Sequence, residues 1–221
     1  MKKMINLIET DNKGIQAAES YRKIASNIEV ANIDGNIKTI MITSTLAGEG
    51  KTTSISNVAS VMTEKDKKVL LLDFDLRKPT LHKKFNLSNQ MGLTDLLLKK
   101  DDYKKYIHSV YPNLHVITSG FLPANPSKII NSIAIKELLK KLSINYDYIF
   151  IDAPPVMIVS DPITISTYTD AVIFTIAYAQ TDKDLAKKSV EALKNVNANI
   201  IGVIFNKTPP IKGNKYYYKY Y

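Results

Sequence analysis

The segment S-T-L-A-G-E-G-K-T-T, residues 44 to 53, has the composition of a phosphate-binding turn. It follows an apolar run, opens into a stretch of helix formers, and ends in the G-K-[ST] of the loop pattern G-x-x-x-x-G-K-[ST], with Thr45 in place of the first glycine. Backbone N–H groups from Ala47 to Thr52 can form an anion nest at a helix N-terminus, where the helix dipole favours negative charge. Gly48 and Gly50 permit close approach of main chain to phosphate. Lys51 then reaches the β and γ phosphates, and the Thr52 hydroxyl can ligate Mg2+. The expected nucleotide set is Ala47, Gly48, Glu49, Gly50, Lys51, Thr52 and Thr53, with ATP and Mg2+ as cofactors. A plain glycine turn joining strand to helix is the simpler use of such a segment, but it does not call for G-K-T at the junction.

A loop that binds a metal-phosphate complex needs acids nearby, and two apolar runs end in them. In L-L-L-D-F-D-L-R-K-P, strand alternation would put Asp73 and Asp75 on one face, where they can converge on one metal site. In Y-I-F-I-D-A-P-P, Asp152 closes an apolar run as a Walker B acid does. In an open α/β sheet the C-terminal strand ends form the ligand crevice, so these acids and the loop belong at one edge.

The elements needed to hold these residues are legible as alternation. Short apolar runs at Thr39–Thr43, Val69–Leu72, Leu114–Thr118, Tyr148–Ile151, Ala171–Ile176 and Ile200–Phe205 read as buried strands. Helical patterns fall at about 16–31, 52–63, 93–99, 102–109, 132–142, 160–167 and 183–195. The expected fold is α/β and doubly wound, a mainly parallel sheet covered on both faces in the manner of a P-loop NTPase with a deviant Walker A segment.

Composition narrows the class further. The chain has 221 residues, 45% hydrophobic and 23% charged, so one ordered domain is expected rather than a disordered chain. The absence of Cys excludes a disulfide scaffold, a thiolate zinc site and a thiolate-ligated iron–sulfur cluster. His82, His108 and His115 lack metal-ligand spacing. No apolar run approaches the ~20 residues that span a bilayer, and the N-terminus has no signal-like core, so a cytoplasmic location is expected. The net charge of +9 would suit an anionic partner, yet four of the Lys residues lie between Lys207 and Tyr221, a stretch without acids. That stretch also holds Tyr216, Tyr217, Tyr218, Tyr220 and Tyr221, five of the thirteen Tyr. It reads as a tail, 207–221, following a domain at 1–206.

Taken together, the loop at 44–53, the segment V-L-L-L-D-F-D-L-R-K-P at 69–79, Y-I-F-I-D-A-P-P at 148–155 and the Tyr-rich terminus resemble the bacterial tyrosine kinases. The similarity is greatest to the soluble Gram-positive type that regulates capsular or exopolysaccharide assembly, and G-F-L-P-A-N-P-S-K-I-I at 120–130 resembles a family loop in which an acid usually stands at Lys128. The resemblance implies an ATP-dependent protein-tyrosine kinase that autophosphorylates its tail in trans, with the five tail Tyr as phosphoacceptors. It implies Lys51 at the γ-phosphoryl group, Thr52, Asp75 and Asp152 on Mg2+, Asp73 as the base for the tyrosine proton, and Asn206 at adenine. The roles of Asp73 and Asp75 are interchangeable at this stage, and Arg77 is either a cation beside the nucleophile or half of a structural ion pair.

The same resemblance implies partners. A membrane-spanning activator of the polysaccharide co-polymerase type would bring the chain to the membrane, and a phosphatase and polysaccharide enzymes would be regulators or substrates. A ring-shaped octamer is held in the family by E-x-x-R-x-x-R, here Glu19, Arg22 and Ala25, so the ring is weakened by a missing charge. Tyr146 and Tyr148 are expected to be structural. The rival reading is a positioning or partition ATPase of the same fold whose basic aromatic tail binds membrane or another polyanion. Leu46, where many of those ATPases carry a second lysine, and the Tyr cluster weigh against it. Nucleic acid is not an expected partner, since no second basic motif is present.

Overall fold

Runs of aliphatic residues with no polar alternation bury on both faces, and here they form the middle of one sheet. In the computed structural model, which describes residues 12–99 and 101–209, strands β1 (Thr39–Ser44), β2 (Val69–Asp73) and β5 (Tyr148–Asp152) are buried at every position. They are joined by β3 (His108–Tyr111), β4 (Leu114–Ile117), β6 (Ala171–Ala177) and β7 (Ile200–Asn206). The order is β3-β4-β2-β5-β1-β6-β7, with every neighbouring pair parallel except β3 and β4.

Helices cover both faces. On one, α1 (Asn12–Ala31) and α2 (Lys51–Thr63) pack Ala25, Ile28, Ile55, Val58 and Met62 against Ile40, Ile42, Leu71 and Phe150. The short α3 (Leu81–Lys84) adds Leu81 to that side. On the other face lie α4 (Leu93–Lys99), α5 (Pro126–Ile130), α6 (Ile133–Ser143), α7 (Asp161–Ser166) and α8 (Lys183–Lys194). Their Leu96, Ile130, Leu139, Ile165 and Leu193 meet Met41, Leu70, Leu72 and Ile149. The doubly wound α/β expectation holds.

The short α3 and α5 and the edge strand β3 are additions to the expected elements. The helix expected at 102–109 is a 3-10 turn, Tyr103–Tyr106, followed by the edge strand β3. Asp102 caps the turn by accepting the Lys104 N–H at 3.1 Å, and Asn113, at φ 63°, turns β3 antiparallel into β4. The tyrosine cluster Tyr216–Tyr221 lies outside the described residues.

For function the useful part of this topology is β2-β5-β1. Asp73 and Asp152 are Cα partners at the ends of neighbouring strands, and Ile42 of β1 pairs with Asp152 on the other side. The loop that leaves β1 therefore starts beside Asp152, with Asp73 one strand further on.

Candidate active site

The loop after β1 turns through Gly48 (φ 84°) and Gly50 (φ 92°), left-handed conformations that side chains resist, and Gly50 caps α2. Glu49 is buried and folds back on its own loop. Its Oε2 accepts the N–H groups of Thr45 at 2.8 Å and Leu46 at 3.2 Å, and its Oε1 accepts the Thr181 hydroxyl at 2.5 Å. Thr181 in turn accepts the Ala177 N–H at 2.7 Å, so the loop is braced against the end of β6. The amides of Thr45 and Leu46 are occupied by this carboxylate. Asn206, at the end of β7, donates from Nδ2 to the Glu49 carbonyl at 3.0 Å and lies so close to Gly50 that any side chain there would collide with it.

Lys51 opens α2 and points into the acids. Its Nζ lies 3.4 Å from Asp75 Oδ2 and 3.2 Å from Asp152 Oδ1, with all three side chains at most 10% exposed. Burial lowers the Lys51 pKa, but Asp152 and Asp75 outweigh it and hold the ammonium above its ordinary value. The Thr52 hydroxyl donates to Asp152 Oδ2 at 2.5 Å and lies 3.0 Å from Thr80 Oγ1. Burial pushes Asp152 up, opposed by Lys51 and Thr52.

Asp73 and Asp75 converge by a different route from strand alternation, because β2 ends at Asp73 and Asp75 lies in the following turn. The Asp73 carboxylate organises that turn. Its Oδ1 accepts the Asp75 N–H at 3.2 Å, and its Oδ2 accepts those of Thr80 at 3.2 Å and Leu81 at 3.0 Å. Asp75 Oδ1 accepts the Lys78 N–H at 3.0 Å, leaving Oδ2 toward Lys51. Asp73 is fully buried, and burial, reinforced by Asp152, pushes it up to about 8 against the pull of the Leu81 N–H and Lys51.

Arg77 lies further along the same turn. Its Nε donates to Asp161 Oδ2 at 2.9 Å and its Nη2 to Ser127 Oγ at 3.0 Å, while the Ser127 hydroxyl donates to Asp161 Oδ1 at 2.7 Å. Of the two uses open to Arg77, the structure shows the ion pair. Sequence reading did not identify Asp161 and Ser127 as partners of Arg77, since they lie 84 and 50 positions away.

With this geometry in view, comparison with known proteins separates the kinase reading from its rival. An AAA domain pattern matches residues 37–205. The tyrosine-protein kinase YwqD of Bacillus subtilis is 39% identical over 95% of this chain and 88% of its own length. The putative tyrosine-protein kinase CapB of Staphylococcus aureus is 34% identical over 92% of this chain and 90% of its own. The chain belongs to the bacterial tyrosine-protein kinases. A crystal structure of the chimerical protein CapA2B2 superposes with a TM-score of 0.83 at 39% identity, covering 87% of this kinase and 85% of that chain. The septum site-determining protein MinD of Pyrococcus horikoshii, complexed with Mg-ADP, shares the fold at TM-score 0.67 and 22% identity over 80% of this chain and 72% of its own, which shows the fold alone.

The donor set of the kinase suits Mg2+. Asp75, Asp152 and the Thr52 hydroxyl are hard oxygen groups at the mouth of a phosphate loop, and the Lys51 ammonium already bridges the two carboxylates. Among the described residues no three His, Cys, Asp or Glu side chains form a ready-made metal cage. Mg2+ does not need one, because it commonly takes one or two carboxylates and completes its shell with phosphate oxygens and water.

Away from the crevice, Glu19 and Arg22 form the expected i,i+3 pair at 3.6 Å, and Arg22 also reaches Glu64 of α2 at 3.5 Å. Ala25 is fully buried between α1 and the sheet, so in this kinase that position supplies packing. Tyr146 and Tyr148 are buried, and Tyr146 bonds His115 through its hydroxyl at 2.7 Å. Among the described residues no helix is long and apolar enough to cross a membrane.

Proposed function

We propose that this kinase transfers the γ-phosphoryl group of ATP to its own C-terminal tyrosines, in trans between copies, and thereby regulates capsular or exopolysaccharide synthesis and export. The observation that carries the reading is the convergence of Lys51, Thr52, Asp75 and Asp152 within hydrogen-bonding range at the end of the phosphate loop. Phosphoryl transfer in such a site is mostly positioning and charge neutralisation. The amides from Ala47 to Thr52 cradle the phosphates, Lys51 turns from the carboxylates to the γ-phosphoryl group, and Asn206 flanks the nucleotide. Thr52, Asp75 and Asp152 would hold Mg2+, which when bound supplies the positive charge that Lys51 gives up.

Asp73 accepts the tyrosine proton in this reading. Asp75 shares Lys51 with Asp152, which fits the metal role, whereas Asp73 makes no ion pair with Lys51 among the described residues and its raised pKa suits a base working near neutrality. An unperturbed phenol has a pKa near 10, so a base close to its operating pH is useful. The acceptors are Tyr216, Tyr217, Tyr218, Tyr220 and Tyr221. Fifteen extended residues at ~3.4 Å each reach roughly 50 Å, enough to enter a neighbour's crevice. Each phosphate adds roughly −1.5 to −2 charge, so full modification more than cancels the tail's four Lys.

The remaining expectations belong to the same proposal: a membrane-spanning activator of the co-polymerase type, a phosphatase and polysaccharide enzymes as partners, and a ring-shaped octamer using Glu19 and Arg22. The test is intact mass after incubation with Mg-ATP and an activator segment, for the parent chain, Lys51→Met, and a chain lacking residues 214–221. Gains of one or more phosphates in the parent and none in either variant are expected. Mixing Lys51→Met with the tail-deleted chain should place phosphate on the Lys51→Met protein, the signature of transfer in trans. ATP hydrolysis with no mass gain in any mixture overturns the proposal.

A further inference from the structure

The bonds of Arg77, Ser127 and Asp161 form a closed ring: guanidinium to carboxylate, guanidinium to hydroxyl, and hydroxyl to carboxylate, at 2.9, 3.0 and 2.7 Å. The three residues come from three different connections. Arg77 follows β2, Ser127 sits in α5 after β4, and Asp161 begins α7 after β5. Because the sheet order runs β4-β2-β5, the ring ties together the loops that leave three adjacent strands at the crevice edge. Its members are unequally placed, with the Asp161 side chain 4% exposed and that of Arg77 42% exposed. A buried carboxylate thus grips one side of a guanidinium whose other side meets solvent. Only two of the five guanidinium N–H groups are used among the described residues, and the remainder suit an anion, which Arg binds through a planar fork of donors.

We propose that Asp161 and Ser127 are positioning residues that hold Arg77 at the rim of the crevice, with its free edge presented to the acceptor tyrosine as its oxygen gains negative charge and takes the phosphoryl group. The proposal rests on the kinase reading above and adds two residues to it. Arg77 follows Asp75 by two positions in the turn that Asp73 and Asp75 organise, so fixing the guanidinium also fixes that turn. Asp161 offers both carboxylate oxygens to the ring, one to Arg77 and one to Ser127. Asn at this position keeps the shape but loses the charge and one acceptor.

The test is a double-mutant cycle on tail phosphorylation by the full chain, with Mg-ATP affinity and thermal unfolding measured beside it. Asp161→Asn should lower kcat roughly 10- to 100-fold, the scale of a small misplacement of a reacting group, while ATP affinity stays within about twofold. Placed in an Arg77→Ala background, the same change should cost nothing further, because Asp161 acts only through Arg77. Ser127→Ala should weaken turnover in the same coupled way, and Ser127→Thr, which keeps the hydroxyl, should restore it. Should Asp161→Asn fail to fold, the serine pair carries the test alone.

An Asp161→Asn enzyme with unchanged kcat, a loss that multiplies with that of Arg77→Ala, or a defect confined to ATP affinity overturns the inference. A parent chain that incorporates no phosphate in the same assay instead overturns the kinase reading, so the two failures are told apart.

Discussion

Replacing Lys51 by Met removes the ammonium that lies between Asp75 and Asp152, at 3.4 and 3.2 Å, in a site where those carboxylates are 7% and 0% exposed. Their charges then stand unpaired in a poor solvent. Breaking a buried ion pair from one side costs about 3–5 kcal/mol, and for a chain of this size each kcal/mol moves Tm by roughly 2–4 °C. Without nucleotide or metal, Lys51→Met should therefore melt roughly 6–20 °C below the parent at slightly alkaline pH.

The loss must also depend on pH in a definite direction. Asp73 rises from 3.8 to about 8 on folding, so the folded state holds a proton that the unfolded state releases, and this group erodes stability as pH rises between those values. Asp152 is shifted the same way by burial, and removing Lys51 removes one of the two influences that oppose the shift. As pH falls toward 5, carboxyls that burial already favours in the neutral form take up protons, and the need for an ammonium between them fades. Calorimetry on both proteins at pH 5 and pH 8, in the absence of Mg2+, should show the gap in Tm widening at the higher pH. A variant as stable as its parent at pH 8, or a gap that is larger at pH 5, would refute the idea that Lys51 is the counter-ion of this cluster.

The loop itself gives two more tests. Glu49→Ala strands the Thr45 and Leu46 amides and the Thr181 hydroxyl. Each unsatisfied buried group costs about 1–3 kcal/mol, so titration calorimetry should show ATP affinity falling by tenfold or more, with Glu49→Gln, which keeps an acceptor and a donor, falling between parent and Ala. An Ala variant that binds ATP as tightly as its parent would show that the brace is dispensable. Gly50→Ala combines a left-handed φ of 92° with a collision against the Asn206 amide, and fluorescent-nucleotide binding should be nearly abolished while the far-UV spectrum is kept. Unchanged binding would mean that Asn206 swings away freely.

What could be read from the sequence, and what could not, divides along a physical line. Asp73 and Asp152 were legible because each ends a run of apolar residues, and a buried parallel strand leaves its last residue at the crevice whatever its neighbours are; their pairing across β2 and β5 follows. The turn from β1 into α2 was legible for a similar reason, since glycine, lysine and threonine at a strand-to-helix junction act through local backbone geometry. The stretch 102–109, a 3-10 turn leading into the edge strand β3, was read as helix because the spacing of Tyr103, Tyr106 and Ile107 also suits a helical face. Its own signal was Pro112-Asn113 between Tyr111 and Leu114, a turn pair in which Asn tolerates a positive φ.

The side-chain partnerships are different in kind, because they join residues whose proximity is created by the fold. Glu49 belongs to the nucleotide loop by motif, yet its carboxylate is held by the Thr45 and Leu46 amides and by Thr181, 132 positions on. A physical clue existed: a carboxylate in a loop that binds polyanions would repel its ligand unless hydrogen bonds held it elsewhere, but nothing local names the partner. Arg77 presents the same case with its sign reversed. A cation near a phosphoryl site can serve the reaction or the scaffold, and the sequence left both open. The ring with Ser127 and Asp161 removes the opposition between these two uses, because a guanidinium can act on a moving substrate only if something stationary holds it. The bonds that would mark Arg77 as merely structural are, at the edge of this crevice, what would make it usable in catalysis.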